Sequence, residues 1–157
     1  MINAHQQAFV FSPFRFWEYN SARTLVSSGD ISRYGLHRDL ANMDAVFKWE
    51  GNSKTYFFKG SNYWKYDDGN RRMDTYYYDR RQRKYLRYPR VVSTVWRFPG
   101  NVKAAVKWRN ERNYVFWNSQ YIKLQKGKVQ RERGYPQIIA NRWMKCNSKG
   151  RDLGTPP

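Results

Sequence analysis

Between Arg71 and Arg90 the chain reads Arg-Arg-Met-Asp-Thr-Tyr-Tyr-Tyr-Asp-Arg-Arg-Gln-Arg-Lys-Tyr-Leu-Arg-Tyr-Pro-Arg. A guanidinium group donates paired hydrogen bonds to sulfate, phosphate or carboxylate oxygens, so this stretch has the chemistry of a polyanion site. Its centre is Arg80, Arg81, Arg83, Lys84 and Arg87. Lys123, Lys126, Lys128, Arg131 and Arg133 form a second basic group further on. The charge is lopsided: residues 1–70 hold 8 basic and 7 acidic side chains, whereas residues 71–151 hold 22 and 4, within a net charge of +18. Such an imbalance bears on polyanionic partners and not on fold. Charge runs are commonly solvated loops; two basic groups at matching places in neighbouring units argue for a patch.

Catalytic side chains are sparse. The histidines are His5 and His37, and no His-Glu-x-x-His is present to bind zinc and supply a general base. There is no Gly-x-Ser-x-Gly, no glycine-rich phosphate loop and no Cys/His nucleophile pair. The chain is therefore expected not to be an enzyme and to hold no zinc site. Cys146 is the one cysteine. A lone thiol commonly means a cytosolic protein or a bystander; in a secreted one it lacks a partner. No run of about 18 apolar residues is present, so no transmembrane segment is expected. Residues 1–7 have no apolar signal region, and no glycosylation sequon occurs.

The elements that must carry these side chains follow from a repeat. Phe9–Tyr19, Tyr56–Tyr66 and Tyr114–Leu124 align without gaps, at offsets of 47 and 58 residues. Repeats of this size indicate a solenoid, a propeller or an array of small units. In the second copy Gly60-Ser61 reads as the two-residue turn of a hairpin. Apolar, small-residue runs precede the second and third copies, at Met43–Trp49 and Val102–Trp108. One unit thus reads as an inner strand, two aromatic strands and a looser outer segment. Stacked radial sheets are covered on both faces, which accounts for consecutive apolar residues such as Tyr56-Phe57-Phe58. The last outer segment ends in a helix signal, with Pro136 at its start and Ile139 and Trp143 four residues apart on one face. The basic segment lengthens the second unit by 11 residues if Tyr88-Pro89 corresponds to Tyr135-Pro136; Tyr77 is the other candidate.

Asp44-Ala45-Val46-Phe47, Thr55-Tyr56-Phe57-Phe58-Lys59-Gly60 with Tyr63-Trp64-Lys65-Tyr66-Asp67, and Gly134-Tyr135-Pro136 resemble the signature of the haemopexin-like repeat. The close Arg142-Trp143-Met144-Lys145-Cys146 is similar to that of matrix metalloproteinases, with a lean towards the membrane-type branch. The resemblance covers roughly residues 8–146. It implies an all-β fold, a partial four-bladed β-propeller with about two full blades plus part of a third. The units are a partial blade at 8–42, a blade with the basic insertion at 43–101 and a final blade at 102–146. An N-terminal extension (1–7) and a disordered tail (147–157) flank them. In the family the closing cysteine pairs with one at the start of the first blade, so Cys146 has no partner in this chain. The family also holds calcium on main-chain carbonyls around the channel, and Asp44 occupies such a position; Lys103 stands at the matching place in the next blade. An open ring leaves blade faces uncovered, so self-association is expected.

The resemblance implies a non-catalytic, extracellular or cell-surface module that binds extracellular matrix proteins, metalloproteinase inhibitors or sulfated glycosaminoglycans. Two alternatives are a segment of a zinc-dependent matrix metalloendopeptidase whose catalytic domain lies elsewhere, and a free-standing haemopexin-repeat protein that binds polyanions. Nucleic acid is disfavoured as a partner, although tyrosines interleaved with arginines are able to stack on bases.

Overall fold

The computed structural model describes residues 8–49, 51–96, 98, 100–108, 110 and 112–144. Its strands are β1 (Ala8–Phe11), β2 (Arg15–Tyr19) and β3 (Leu25–Asp30), then β4 (Ala45–Trp49), β5 (Lys54–Lys59), β6 (Asn62–Asp67) and β7 (Arg72–Met73). They continue with β8 (Tyr76–Asp79), β9 (Lys84–Arg87), β10 (Arg90–Val91), β11 (Ala104–Lys107), β12 (Asn113–Trp117), β13 (Gln120–Lys123) and β14 (Gln137–Ile138). A four-residue helix, α1 (Val92–Val95), a 3-10 turn at Arg38–Leu40 and a π-helical turn at Ile139–Trp143 complete the fold. The sheets are β1-β2-β3, then β10-β6-β5-β4 with β7 also on β6, then β11-β12-β13-β14, with β8-β9 as a separate hairpin. All the pairings are antiparallel. This is the expected all-β, partial propeller, and the inner strands β4 and β11 lie beside one another.

The aromatic strands form because each serves two interfaces. Tyr56 and Phe58 point into a core shared with Phe47, Trp96, Val115 and Trp117. Phe57, between them, points the other way and packs with Phe9, Phe16, Tyr34, Trp64 and Tyr66. Both faces of the middle sheet are thus apolar, and side-chain alternation along the strand shows as burial on both sides instead of as an apolar/polar pattern. Gly60 has φ +56°, as the tight β5–β6 turn requires, and Asn118 takes the corresponding place in the last sheet at φ +46°. Asparagine is among the few non-glycine residues that enter this region at low cost.

Polar links tie the first sheet to the second. Glu18, almost fully buried, faces the Arg71 guanidinium at 3.0 Å. The Tyr66 hydroxyl donates to the Tyr34 carbonyl at 2.7 Å. The first sheet leaves Val10, Leu25 and Val26 about half exposed.

Two local readings change. The outer segment of the first unit contains a six-residue strand, β3, that pairs with β2 through a bulge at Glu18/Tyr19; Leu-Val-Ser-Ser-Gly-Asp has no alternation to announce it. The closing helix does not begin at Pro136. Gln137 and Ile138 first pair with Tyr121 and Gln120, and a single π-helical turn follows. The sheet edge at β13 satisfies backbone groups that a longer helix would otherwise use. Residues 1–7, Cys146 and the tail 147–157, with the expectations placed on them, lie outside the described residues.

Candidate polyanion-binding edge

The two complete sheets superpose by hydrogen-bond register, and the comparison isolates the insertion. Arg90 and Val91 sit opposite Tyr63 and Asn62, as Gln137 and Ile138 sit opposite Tyr121 and Gln120. The Val92 amide donates to the Ser61 carbonyl, as the Ile139 amide does to Ser119. Trp96 then follows Val92 as Trp143 follows Ile139, and each indole lies on the aromatic strands of its own sheet. Tyr88-Pro89 is therefore the counterpart of Tyr135-Pro136, and the Tyr77 alternative falls. On the other side, the Asp74 amide bonds the Lys65 carbonyl as the Glu132 amide bonds that of Lys123. The extra residues thus lie between Asp74 and Tyr88, and they are not a loop: they build the hairpin β8–β9.

The hairpin stands on its inner face. Tyr77 packs edge-on against Tyr88 at 5.3 Å, and the Arg90 guanidinium lies 4.4 Å from the Tyr77 ring. Leu86, opposite Tyr77, is half-buried. The other face carries Tyr76 opposite Arg87 and Tyr78 opposite Tyr85. These tyrosines are 48%, 48% and 72% exposed, well beyond what a core residue would show. The turn is closed by Asp79, whose Oδ1 accepts from the amides of Arg81 (2.8 Å) and Gln82 (3.1 Å). The Gln82 amide, then that of Arg81, holds the Asp79 carboxyl below the usual carboxylate range. Arg83 takes φ +51° to complete the turn.

All five sequence-selected cations of the hairpin are exposed, and three of them line two different clefts. Arg80 and Arg81 flank a cleft of about 360 Å³ with Tyr78, Asp79, Arg90, Thr94 and Val95. Arg87 lines a separate cleft of about 290 Å³ with His37, Asp39, Trp64, Asp74 and Tyr88. Arg90, absent from the sequence selection, is the half-buried cation of the first cleft; its only sequence signal was its place after Tyr88-Pro89. In the last sheet Lys126, Lys128, Arg131 and Arg133 are exposed around the turn that Gln125 and Gln130 close. Lys123 is different: its ammonium pairs with Glu132 at 3.1 Å and adds no free charge. Among the described residues no hydrogen bond, ion pair or ring contact joins the two basic groups.

Asp44 does not present a vacant carboxylate. Its Oδ2 accepts from the Gly60 amide at 2.7 Å, and its Oδ1 lies 3.7 Å from the Lys103 ammonium. Calcium held by main-chain carbonyls here would face that ammonium, and like charge opposes it; the residues present fit the ion poorly, and no function is routed through it. His37 Nδ1 accepts from the Asp39 amide and lies 3.1 Å from the Asp39 carboxylate. Among the described residues no three His, Cys, Asp or Glu side chains gather to hold a metal.

Residues 43–100 match the haemopexin family model. Over 92% of its length the chain is 27% identical to matrix metalloproteinase-2 of Drosophila melanogaster, and over 65% it is 34% identical to human matrix metalloproteinase-17. It spans 18% and 15% of those two proteins. Among solved structures, the haemopexin-fold protein CP4 from cow pea superposes with a TM-score of 0.64 at 17% identity, covering 91% of this chain and 67% of that one. A plant albumin from Cicer arietinum gives 0.66 at 16%, covering 86% and 63%. Residues 43–100 match a haemopexin repeat, and the chain has the haemopexin-like fold and resembles the haemopexin-like domain of matrix metalloproteinases.

Proposed function

We propose that this chain is a non-catalytic binding module of an extracellular, matrix-metalloproteinase-like protein and that its basic edge takes sulfated glycosaminoglycan. The carrying observation is the hairpin inserted between Asp74 and Tyr88. It places Arg80, Arg81, Arg83, Lys84 and Arg87 in solvent, and among the described residues none of them forms an ion pair with a carboxylate. The last sheet lacks this hairpin, so the fold does not need it. Matrix proteins and metalloproteinase inhibitors are further partners of the same module.

Alanine at Arg80, Arg81, Arg83 and Lys84 should move elution from heparin to clearly lower salt and leave the circular dichroism spectrum unchanged. Alanine at Arg15, Arg23, Arg33 and Arg38 removes equal charge from the near-neutral half as the control. Equal elution of the two quadruple variants would mean attraction by bulk charge only.

A second reading is favoured by the names of the similar proteins: the chain is a segment of a longer zinc endopeptidase. A full-length transcript with an upstream His-Glu-x-x-His supports it; one with haemopexin repeats only points to a free-standing binding protein.

A further inference from the structure

We propose that the cleft between the β8–β9 hairpin and α1 is an anion site for a single sulfate or phosphate ester, with the half-buried Arg90 as its anchor and the exposed Arg80 and Arg81 beside it. The inference rests on the reading of this edge as a polyanion surface, and it assigns the anchoring contact to a residue outside the hairpin.

Three features single out this cleft. First, Arg90 is held before any ligand arrives. Its guanidinium lies 4.4 Å from the Tyr77 ring, and its backbone is paired opposite Tyr63 in the sheet. An aromatic face beneath a guanidinium leaves its in-plane N–H groups free to donate, so a planar fork is presented at small entropic cost. Second, the charges do not cancel. The acid of the cleft is Asp79, and its Oδ1 is taken up by the two turn amides of Arg81 and Gln82. Three guanidinium groups against one carboxylate leave the cleft cationic, and among the described residues no carboxylate lies within 4 Å of Arg80, Arg81 or Arg90. Third, the cleft has room for the group: Tyr78, Thr94 and Val95 line it beside the cations, and the Thr94 hydroxyl, whose proton goes to the Val91 carbonyl at 2.6 Å, adds no donor. A volume of about 360 Å³ accommodates a tetrahedral oxyanion with part of the group that carries it. The two clusters chosen from sequence do not contain this arrangement, because Arg90 belongs to β10 and meets Arg80 and Arg81 only in the folded chain.

The test uses the whole chain and a substitution that keeps charge. Arg90→Lys removes the fork and retains +1, so bulk attraction is unchanged; Arg38→Lys is the matched control. Titration with a heparin-derived tetrasaccharide should show about a tenfold loss of affinity for Arg90→Lys and none for Arg38→Lys. In wild type, the Arg90 Nε–Hε resonance should shift on addition of the tetrasaccharide. A phosphoserine peptide forms a second arm that separates the two ester chemistries. Arg80→Lys with Arg81→Lys, on the exposed turn, covers the case in which Arg90→Lys fails to fold, and it should cost several-fold. If Arg90→Lys, folded, and the double variant both bind the tetrasaccharide as wild type does, the site is wrong while the glycosaminoglycan reading stands. If wild type ignores the tetrasaccharide but the peptide binds in an Arg90-dependent way, the site stands and the glycosaminoglycan reading fails. If neither ligand binds, both are wrong.

Discussion

Register comparison turns the insertion into a quantitative experiment. In the last sheet two residues, Arg133 and Gly134, connect Glu132 to Tyr135; in the middle sheet residues 75–87 connect Asp74 to Tyr88. Replacing 75–87 with Ser-Gly should therefore restore the shorter connection. The deletion removes five cations and one carboxylate, so net charge falls from +18 to about +14. Tyr77 and Leu86 are half-buried, and losing each costs about 1 kcal/mol of apolar burial. Loss of the Arg90–Tyr77 stack adds about 0.5–1 kcal/mol. A two-stranded hairpin contributes little stability by itself, so these docking contacts make up most of the loss, about 2–3 kcal/mol. For a chain of this size that is a fall in Tm of about 4–12 °C, with the transition still cooperative. Binding should respond far more. Each cation that displaces counterions contributes about 0.7–0.9 to the slope of log K against log salt, so the slope for heparin should fall by about 3–5. Thermal denaturation and binding at four salt concentrations read both effects. An unfolded deletion variant would show that the hairpin is part of the core. A slope change below about 1 would show that the cations do not touch the polyanion.

Other expectations come from the packing. Trp96→Ala should cost about 3–5 kcal/mol in urea denaturation, because this indole is buried among Phe47, Trp49, Tyr56, Phe58, Tyr63 and Phe98. Trp143→Ala, at the corresponding place on the last sheet but half-buried, should cost clearly less; equal costs would contradict the assignment of Trp96 to an interface between sheets. Burial pushes the Tyr34, Tyr56 and Tyr63 hydroxyls up to about 12. The unfolded chain ionises its tyrosines near 10, so their contribution is complete below about pH 10 and is lost as pH rises towards 12. Phenolate absorbance should therefore rise in two stages, the second coinciding with loss of far-ultraviolet ellipticity; one smooth titration with the fold retained would refute this. The half-exposed Val10, Leu25 and Val26 should drive concentration-dependent association in light scattering, which Val10→Lys with Val26→Lys should reduce. The purified chain should cleave neither gelatin nor a metalloproteinase peptide with zinc added; chelator-sensitive turnover that co-purifies would overturn the non-catalytic reading.

Local order determined a good deal. The three aromatic copies, the Gly60 turn and the Ala-Val-Phe inner strand specify antiparallel units, because strand pairing and tight turns depend on residues near in sequence. The excess of cations after Arg71 is likewise a property of composition. What remained hidden depends on residues brought together from afar. Leu25–Asp30 became a strand because the edge of β2 required a partner. The choice between Tyr77 and Tyr88 needed the register of β10 on β6. Lys123 is neutralised by Glu132, nine residues on, and the Asp44 carboxylate is occupied by a turn amide and by a lysine from the next sheet. The basic segment, read as one run, divides between two clefts because Arg80 and Arg81 lie in the hairpin turn beside α1, whereas Arg87 lies on β9 beside His37 and Asp39. Arg90 joins one of them only through Tyr77 and Tyr63, since the direction of a side chain in space follows from tertiary packing and is not written in its position along the chain.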